Sequence, residues 1–595
     1  MEAETRLRIV GETQQSLQNR QPINSTAFCV KKSHHILQRA SPFLLRNKPV
    51  DILDLWPGSG LLSSKINDLL KPRRHILLDP GKSSYRRFLK PLAASKPCYT
   101  LEFMDIYTEE KWTDVFKKFL PEQQQAPTAA GRVPKNDTLL VLAQPPEPTS
   151  ASNHYTPARW WSQVMESCLH KAGLHQYGSV RVLAVMPEAE AAKCLPRTMT
   201  DRSRPSILTE TVASQTLPLA STYMEPRYEH FKGWDLATRI NARVAERSAE
   251  LGITTPKKRD APMMRLAPEQ PTVGKGSTNY KLDLPYLPRP RTEFHDELEA
   301  RLASEDPKIA RSARAAIRMD NRRQRTIVAL TDLQLAIDAK MNELARLAAD
   351  PHTLTTDLRA RDREINATIK KLQAVSSESH FRSLGNYARY VDESRTASLG
   401  NRSLDESPLL WDRRPFDPLR VDAEAEIYPH KPMAVLYFEA DETPAYQHKL
   451  EQVPLERREG VIEIFDALTR IFTTQNLMSI ADLLHAIMPS RTIEDILRDD
   501  IPSLIPYADK SVKQKCPVGW EHHARDPMSS VLGRLDYDLS SWRVRCLPVD
   551  ILWDIVLAYQ KNSLDLSVLQ FSRLIGATVT SYRAGDYGGK AFKLR

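Results

Sequence analysis

One short run constrains this chain most: Val50-Asp-Ile-Leu-Asp-Leu-Trp-Pro-Gly-Ser-Gly60, followed at once by Leu61, Leu62, Ile66, Leu69 and Leu70. An apolar stretch of this length, stopped by Pro57 and Gly58, reads as a buried strand over 50–56. The leucines after Gly60 recur at helical spacing. A strand that turns through glycine into a helix is the first half of a parallel crossover unit, and such a unit needs further strands beside it. The sequence supplies them. Residues 75–79, 99–104, 138–143, 180–186 and 207–212 read as strands. Between them lie helical patterns, one through Tyr85, Phe88, Leu89 and Leu92 and another through Trp160, Trp161, Val164, Met165 and Leu169. Trp160 and Trp161 are adjacent on a helix and point apart, so at least one belongs in the core. Strands alternating with helices predict an α/β fold with a parallel, doubly wound sheet.

The alternation stops near Trp234, and 595 residues are too many for one compact domain. Residues 1–45 read as a basic arm. From Thr13 to Val50 there is no acidic residue, while Arg20, Lys31, Lys32, Arg39, Arg46 and Lys48 are present. That composition is the signature of mitochondrial targeting, and its plain alternative is a disordered arm that touches RNA. Residues 46–240 form the sheet domain. Residues 241–420 open with a Pro/Lys/Arg-rich linker over 254–292 and continue as charged helix from 293 to 372. There Ile327, Leu330, Leu333, Ile337, Met341, Leu344 and Ala348 keep a three-four spacing. Residues 375–410 read as loose. Met433-Ala-Val-Leu-Tyr-Phe438 then looks like a last strand of the first domain, displaced by the insertion, so 421–445 is assigned back to it. Residues 446–580 form a small helical domain from patterns at 455–488 and 548–575. Residues 581–595 are a flexible basic tail carrying Arg583, Lys590, Lys593 and Arg595.

Composition excludes several classes. The six cysteines include no CxxC pair, which excludes a disulfide scaffold and a cysteine-rich zinc module. His34-His35 has no companions at ligand spacing, so no metal is expected and the pair reads as surface. No run approaches the ~18 apolar residues of a membrane helix. Lys and Arg outnumber Asp and Glu, 84 to 74, an excess compatible with nucleic acid or an acidic partner.

The glycine turn carries the chemistry. It lets backbone approach a ligand, and the helix that follows offers unpaired N–H groups. Asp79, ending the second strand, is placed to bind ribose hydroxyls. Asp105, after the third, could accept from an adenine amino group, which completes a nucleoside pocket at the carboxyl ends of the strands. The plain alternative is a tight turn with two helix-capping aspartates. Asp54-Leu-Trp-Pro-Gly-Ser-Gly60 resembles motif I of the rRNA adenine N6-dimethyltransferase family. The blocks at 52–58, 75–88, 180–187, 432–439 and 546–560 resemble, in order, that family's fungal mitochondrial branch, transcription initiation factors that partner a single-subunit, phage-like RNA polymerase. The resemblance covers roughly 30–240 and 425–565 and leaves out the insertion.

The resemblance implies a Rossmann-like S-adenosylmethionine-dependent methyltransferase fold with a long helical insertion and a small C-terminal helical domain. It implies a pocket of Asp54, Trp56, Gly58, Gly60, Asp79, Asp105 and Gln144, with S-adenosylmethionine as a possible cofactor, either weakly bound through the retained aspartates or vestigial. Active members carry Asn-Leu-Pro-Tyr after the fourth strand to hold and stack a flipped adenine. Here Ala143-Gln-Pro-Pro-Glu147 stands in that place, and Trp56 replaces the usual glycine of motif I. Catalytic residues are therefore expected to be absent. The resemblance implies a matrix protein, monomeric when free, that binds the mitochondrial RNA polymerase and promoter DNA or RNA and assists melting. The alternative is a dimethyltransferase of the small-subunit rRNA. A third reading is an RNA-bound structural protein that uses the insertion as its contact surface. Lys31, Lys32, Arg197, Arg202 and Arg204 are the candidates for a nucleic-acid track at the pocket mouth. Arg318, Arg322, Arg323 and Arg325 form a dense basic cluster on the inserted helix, either a phosphate contact or a solvated face.

Overall fold

In this computed structural model the described residues are 27–28, 33–46, 51–80, 85–104, 111–124, 135–147, 156–222, 234–261, 293–350, 352–379, 381–399, 403–428, 430–508, 531, 534, 538–562 and 567–577. The organising element is an eight-stranded sheet. Its strands are β1 (Asp51–Leu55), β2 (Arg74–Asp79), β3 (Tyr99–Phe103), β4 (Lys135–Ala143), β5 (Ser179–Pro187), β6 (Ala213–Ser221), β7 (Leu419–Arg420) and β8 (Met433–Ala440), in the order β3-β2-β1-β4-β5-β8-β6-β7. β1 to β5 run parallel. β8 lies antiparallel between β5 and β6. The sheet is Rossmann-like, as expected, and residue 433 does return to it. All five residues of β1 are buried, the burial typical of a strand covered on both faces.

Each face carries its own core. On one side α1 (Ser33–Arg46) and α2 (Leu61–Leu70) cover Ile52, Leu140, Leu183, Val435 and Tyr437. Beside α2 lies α3 (Arg86–Ser95), with Lys96 just past its end bonded to Asp68 of α2, while the other side carries α4 (Trp112–Phe119) near the β3 end, then α5 (Pro157–His170) and α7 (Arg204–Val212). Between those last two runs α6 (Glu188–Cys194). Helix α5 is started by Thr156, whose hydroxyl accepts from Arg159 N–H, with Pro157 in the first turn, where a missing donor is harmless. Trp160 and Trp161 are both interior, and Trp161 Nε1–H donates to Thr209 Oγ1 at 2.8 Å.

Several boundaries differ from the sequence expectation. The basic arm ends earlier than residue 45, because α1 is folded onto the sheet through Ile36, Leu37, Ala40 and Leu44. Its arginines are anchors: Arg39 donates to Asp417 O at 3.0 Å, and Arg46 pairs with the buried Glu439 of β8 at 2.9 Å. His34 is exposed and His35 half-buried. Residues 207–212 are the second part of helix α7 rather than a strand. Ser203 caps that helix and Ile207, Leu208 and Val212 bury one side of it, so the strand begins at Ala213.

The insertion is ordered over most of its described length. α8 (Trp234–Glu250) is followed by α9 (Glu293–Leu302), the 43-residue α10 (Pro307–Ala349), α11 (Thr355–Ser377) and α12 (Phe381–Ser398). Helix α11 folds back on the second half of α10 through Leu344, Leu358 and Ile365. Helix α12 closes the bundle with Tyr387 and Val391 against Ile327 and Leu330. The stretch read as loose, 375–410, is thus largely helix. The C-terminal helices α13 (Ala445–Glu451), α14 (Leu455–Thr469), α15 (Ile480–Ile487), α16 (Val549–Asn562) and α17 (Val568–Leu574) share one continuous core with the sheet's second face. Trp553 is stacked there between Phe465, at 3.9 Å, and Tyr446, at 5.0 Å. The tail residues Arg583, Lys590, Lys593 and Arg595 lie outside the described residues, as does most of the 254–292 linker.

Candidate functional site

Strand β1 ends in a turn with three residues in the left-handed backbone region, Trp56 at φ 53°, Gly58 at 57° and Gly60 at 76°. Glycine adopts that conformation freely, whereas a bulky residue there stores about 1–3 kcal/mol. Packing holds Trp56 in place. Its N–H donates to Leu78 O at 3.0 Å, and its ring lies edge-on to Trp160 at 5.9 Å. The Trp56 indole has turned into the interior. Gly60 starts α2, accepting from Ser64 N–H at 2.9 Å. A Cβ at Gly60 would stand 2.4 Å from Leu92 Cδ2 of α3, so that helix lies directly against the turn.

The carboxylates are inside as well. Asp54 accepts from His75 Nε2–H at 3.3 Å, while His75 Nδ1 accepts from the Asn67 amide at 3.2 Å. The amide's donor fixes the ring's tautomer, with its proton on the side of Asp54. Asp79 ends β2 and is only 2% exposed. Gln144 follows β4. Its backbone N–H donates to Leu55 O at 3.0 Å, and its side-chain nitrogen lies 3.5 Å from Pro57 O. Glu147 is paired with Lys431.

The structure therefore brings Asp54, Trp56, Gly58, Gly60, Asp79 and Gln144 together at the carboxyl ends of β1, β2 and β4. Asp105 lies outside the described residues. An adenosyl group, however, needs open surface on the glycine turn. Every residue from Asp51 to Gly60 is buried, and Gln144 reaches for the turn's own carbonyl. In this arrangement the residues do not fit a nucleoside-sized cofactor. The Gln144 side-chain nitrogen points to Pro57 O, and its Oε1 is buried with no hydrogen-bond partner among the described residues.

The arginines expected to line the pocket mouth are interior ion-pair partners instead. Arg197 pairs with Glu188 at 3.0 Å and lies over the Trp411 ring at 4.1 Å. Arg202 is bound to Glu210 and donates to Leu547 O at 2.8 Å. Burial pushes the Glu210 carboxyl above its ordinary range despite Arg202. Arg204 bridges Glu166 at 2.7 Å and Asp466 at 2.6 Å. For Arg202 and Arg204 the physical reason is the C-terminal domain, which covers α7 and supplies carbonyls and a carboxylate these cations need once desolvated, while Arg197 is neutralised by Glu188 of α6. Lys31 and Lys32 lie outside the described residues. Among the described residues no three acidic, cysteine or histidine side chains could hold a metal ion, and no helix is long and apolar enough to cross a membrane.

One cluster escaped the sequence reading. Asp392 of α12 is fully buried between Arg543 and Arg545 of the C-terminal domain, with Arg545 Nε–H donating at 2.8 Å. Its neighbour Glu393 accepts from Met199 N–H. Arg395 donates to Ser541 O at 2.6 Å and to Asp338 of α10 at 2.7 Å. Helix α12 thus joins insertion, sheet domain and C-terminal domain. The partners lie between 57 and 194 residues apart, so no local pattern could have marked them.

No family profile matches the sequence. Two curated proteins do. Over 187 residues the chain is 29% identical to mitochondrial transcription factor 1 of Saccharomyces cerevisiae, covering 31% of this chain and 49% of the yeast protein. Over 171 residues it is 25% identical to mitochondrial transcription factor 1 of Lachancea kluyveri, covering 29% of this chain and 47% of that protein. The chain is similar to fungal mitochondrial transcription factors. It spans about half the length of the relatives it matches.

Proposed function

We propose that this chain is a mitochondrial transcription initiation factor that works without catalysing methyl transfer. It binds the single-subunit mitochondrial RNA polymerase in the matrix and helps it recognise and melt promoter DNA. The observation that carries this reading is the closed glycine turn within a Rossmann-like sheet, taken with the similarity to two yeast transcription factors. A site that flips a base for chemistry needs an acceptor pocket and a cofactor beside it. Trp56 packed into the core and Gln144 turned toward Pro57 support a scaffold that keeps the architecture without the reaction.

Run-off transcription with the cognate polymerase tests the proposal, on a duplex promoter and on the same promoter pre-melted. The factor is required on the duplex and largely dispensable on the bubble. No effect on either template overturns the reading. Methyl incorporation into the small-subunit rRNA hairpin would replace it with an enzymatic one.

A further inference from the structure

The first half of α10 has a charge pattern unlike that of the second half. Residues 307–326 contain seven basic side chains, six of them arginine, against a single acidic one, Asp320. Five of the arginines, Arg311, Arg314, Arg318, Arg322 and Arg325, are spaced three, four, four and three residues apart. At 3.6 residues per turn that places them in one stripe, within about 80° of arc and about 21 Å long. Arg323 falls outside the stripe, and its guanidinium lies 3.8 Å from Met319 Sδ.

The second half of the same helix is treated differently. There Lys340 faces Glu364, Glu343 takes Arg361 at 2.6 Å, and Asp338 takes Arg395 at 2.7 Å. In the first half Arg311, Arg322 and Arg325 make no ion pair with any described residue. This half also extends beyond the pairing with α11 and α12. Its apolar side, Ala313 and Ile317, is covered by Leu298 of the short α9. Arg311 and Arg322 are exposed and Arg325 is half-buried. An interior ion pair would need a carboxylate, and a helix stabilised by its own charges would alternate signs. For Arg311, Arg322 and Arg325 no such carboxylate is found among the described residues, and the signs along 307–326 do not alternate.

We infer that the arginine stripe of α10 is a docking surface for the phosphate backbone of duplex nucleic acid. The ligand class follows from three features. The residues are arginines, whose planar fork grips phosphate bidentately. They form a line rather than a patch, with a length that spans about six base-pair steps of a duplex. They stand on a rigid helix held to the body by α12, so binding does not first have to order them. Backbone contacts position a protein without reading sequence, and the stripe therefore contributes affinity and orientation, not specificity. The inference stands on the insertion alone and does not depend on the transcriptional reading.

The test uses the full chain and a fluorescent 30-base-pair DNA duplex, with an RNA duplex of equal length in parallel. Binding is followed by anisotropy across a salt series for the wild type and two triple variants, R311Q/R322Q/R325Q and R311K/R322K/R325K. Each lost phosphate contact lowers the salt slope by roughly 0.9 on B-DNA, so the glutamine triple should lose about 2.7 in slope and at least tenfold in affinity. The lysine triple should keep the slope and lose only part of the affinity. Unchanged helical circular dichroism and melting in the glutamine triple confirm that folding is intact, as expected for side chains that make no ion pair with any described residue. Tighter binding by DNA or by RNA supports the inference and identifies which duplex is the ligand. An unchanged slope in the glutamine triple overturns it. So does equal displacement of the duplex by polyglutamate of matched charge, because the stripe would then prefer an acidic protein.

Discussion

Replacing Asp392 by asparagine tests how the insertion is held to the rest of the molecule. The carboxylate is buried with Arg543 on one oxygen and Arg545 on the other. Asparagine preserves the shape, removes the charge and leaves two desolvated guanidinium groups facing a neutral amide. Breaking one partner out of a buried pair costs about 3–5 kcal/mol, mostly the penalty of the charge left behind. Burial alone would raise the Asp392 carboxyl, but Arg543, Arg545 and Arg395 more than offset it and hold it below its ordinary value of 3.8. A depressed carboxylate stabilises the fold above its unfolded value and loses that contribution as pH falls through its folded value. The wild type should therefore weaken below about pH 4, and D392N should have lost this part of the acid limb in advance. In a multidomain chain one unfolding free energy is ill-defined, so the assay is hydrogen exchange at 387–396 and 543–546, read beside urea midpoints at pH 7 and about pH 3. Protection at both segments should drop together by ~100-fold or more. If D392N keeps its protection within tenfold at both, the buried pair contributes under ~1.4 kcal/mol and the reasoning fails.

Two substitutions test the core on either side of that clasp. Gly60→Ala should cost about 1–3 kcal/mol, from a left-handed backbone at φ 76° and a Cβ 2.4 Å from Leu92; adding Leu92→Ala should relieve only the steric part, read as a partial recovery of the urea midpoint. Trp553→Ala should cost about 3–5 kcal/mol by emptying the stack between Phe465 and Tyr446, and tryptophan fluorescence with thermal melting should show the C-terminal domain loosening first.

Most of the sheet was legible because its strands are short apolar runs cut off by proline, glycine or charge. The limits of β1, α2, β2 and β3 fall within a residue or two of what periodicity implies. Strand β6 was hidden because Pro218 breaks the strand pattern. The ring is tolerated where β8 shifts register between Val435 and Leu436, a bulge that relieves the ladder of one donor. The glycine turn and its companions Asp54, Asp79 and Gln144 were legible as neighbours in space, since all sit at the ends of adjacent parallel strands. What was not legible is that the turn is closed: burial of Trp56 depends on Trp160, over a hundred residues on. Arg197, Arg202 and Arg204 looked like surface charge for the same reason. A sequence displays cations but not the distant carboxylates that neutralise them. Helix α12 was read as loose because its stretch is rich in Ser, Arg and Asn, yet its Asp392, Glu393 and Arg395 are each a buried partner.

Strand β8 sits between β5 and β6, yet its residues follow those of β6 by more than two hundred positions. Until Met433–Ala440 has been made, β5 and β6 each present an open hydrogen-bonding edge in the middle of the future sheet. A chain growing from a ribosome, or threading through a narrow channel from its amino end, must carry those edges uncovered while the whole insertion follows. Loop closure over such a length is slow and leaves sticky intermediates. Chaperone dependence during synthesis is therefore built into the position of a single eight-residue strand, and truncations that end before residue 433 should aggregate rather than yield a smaller soluble domain.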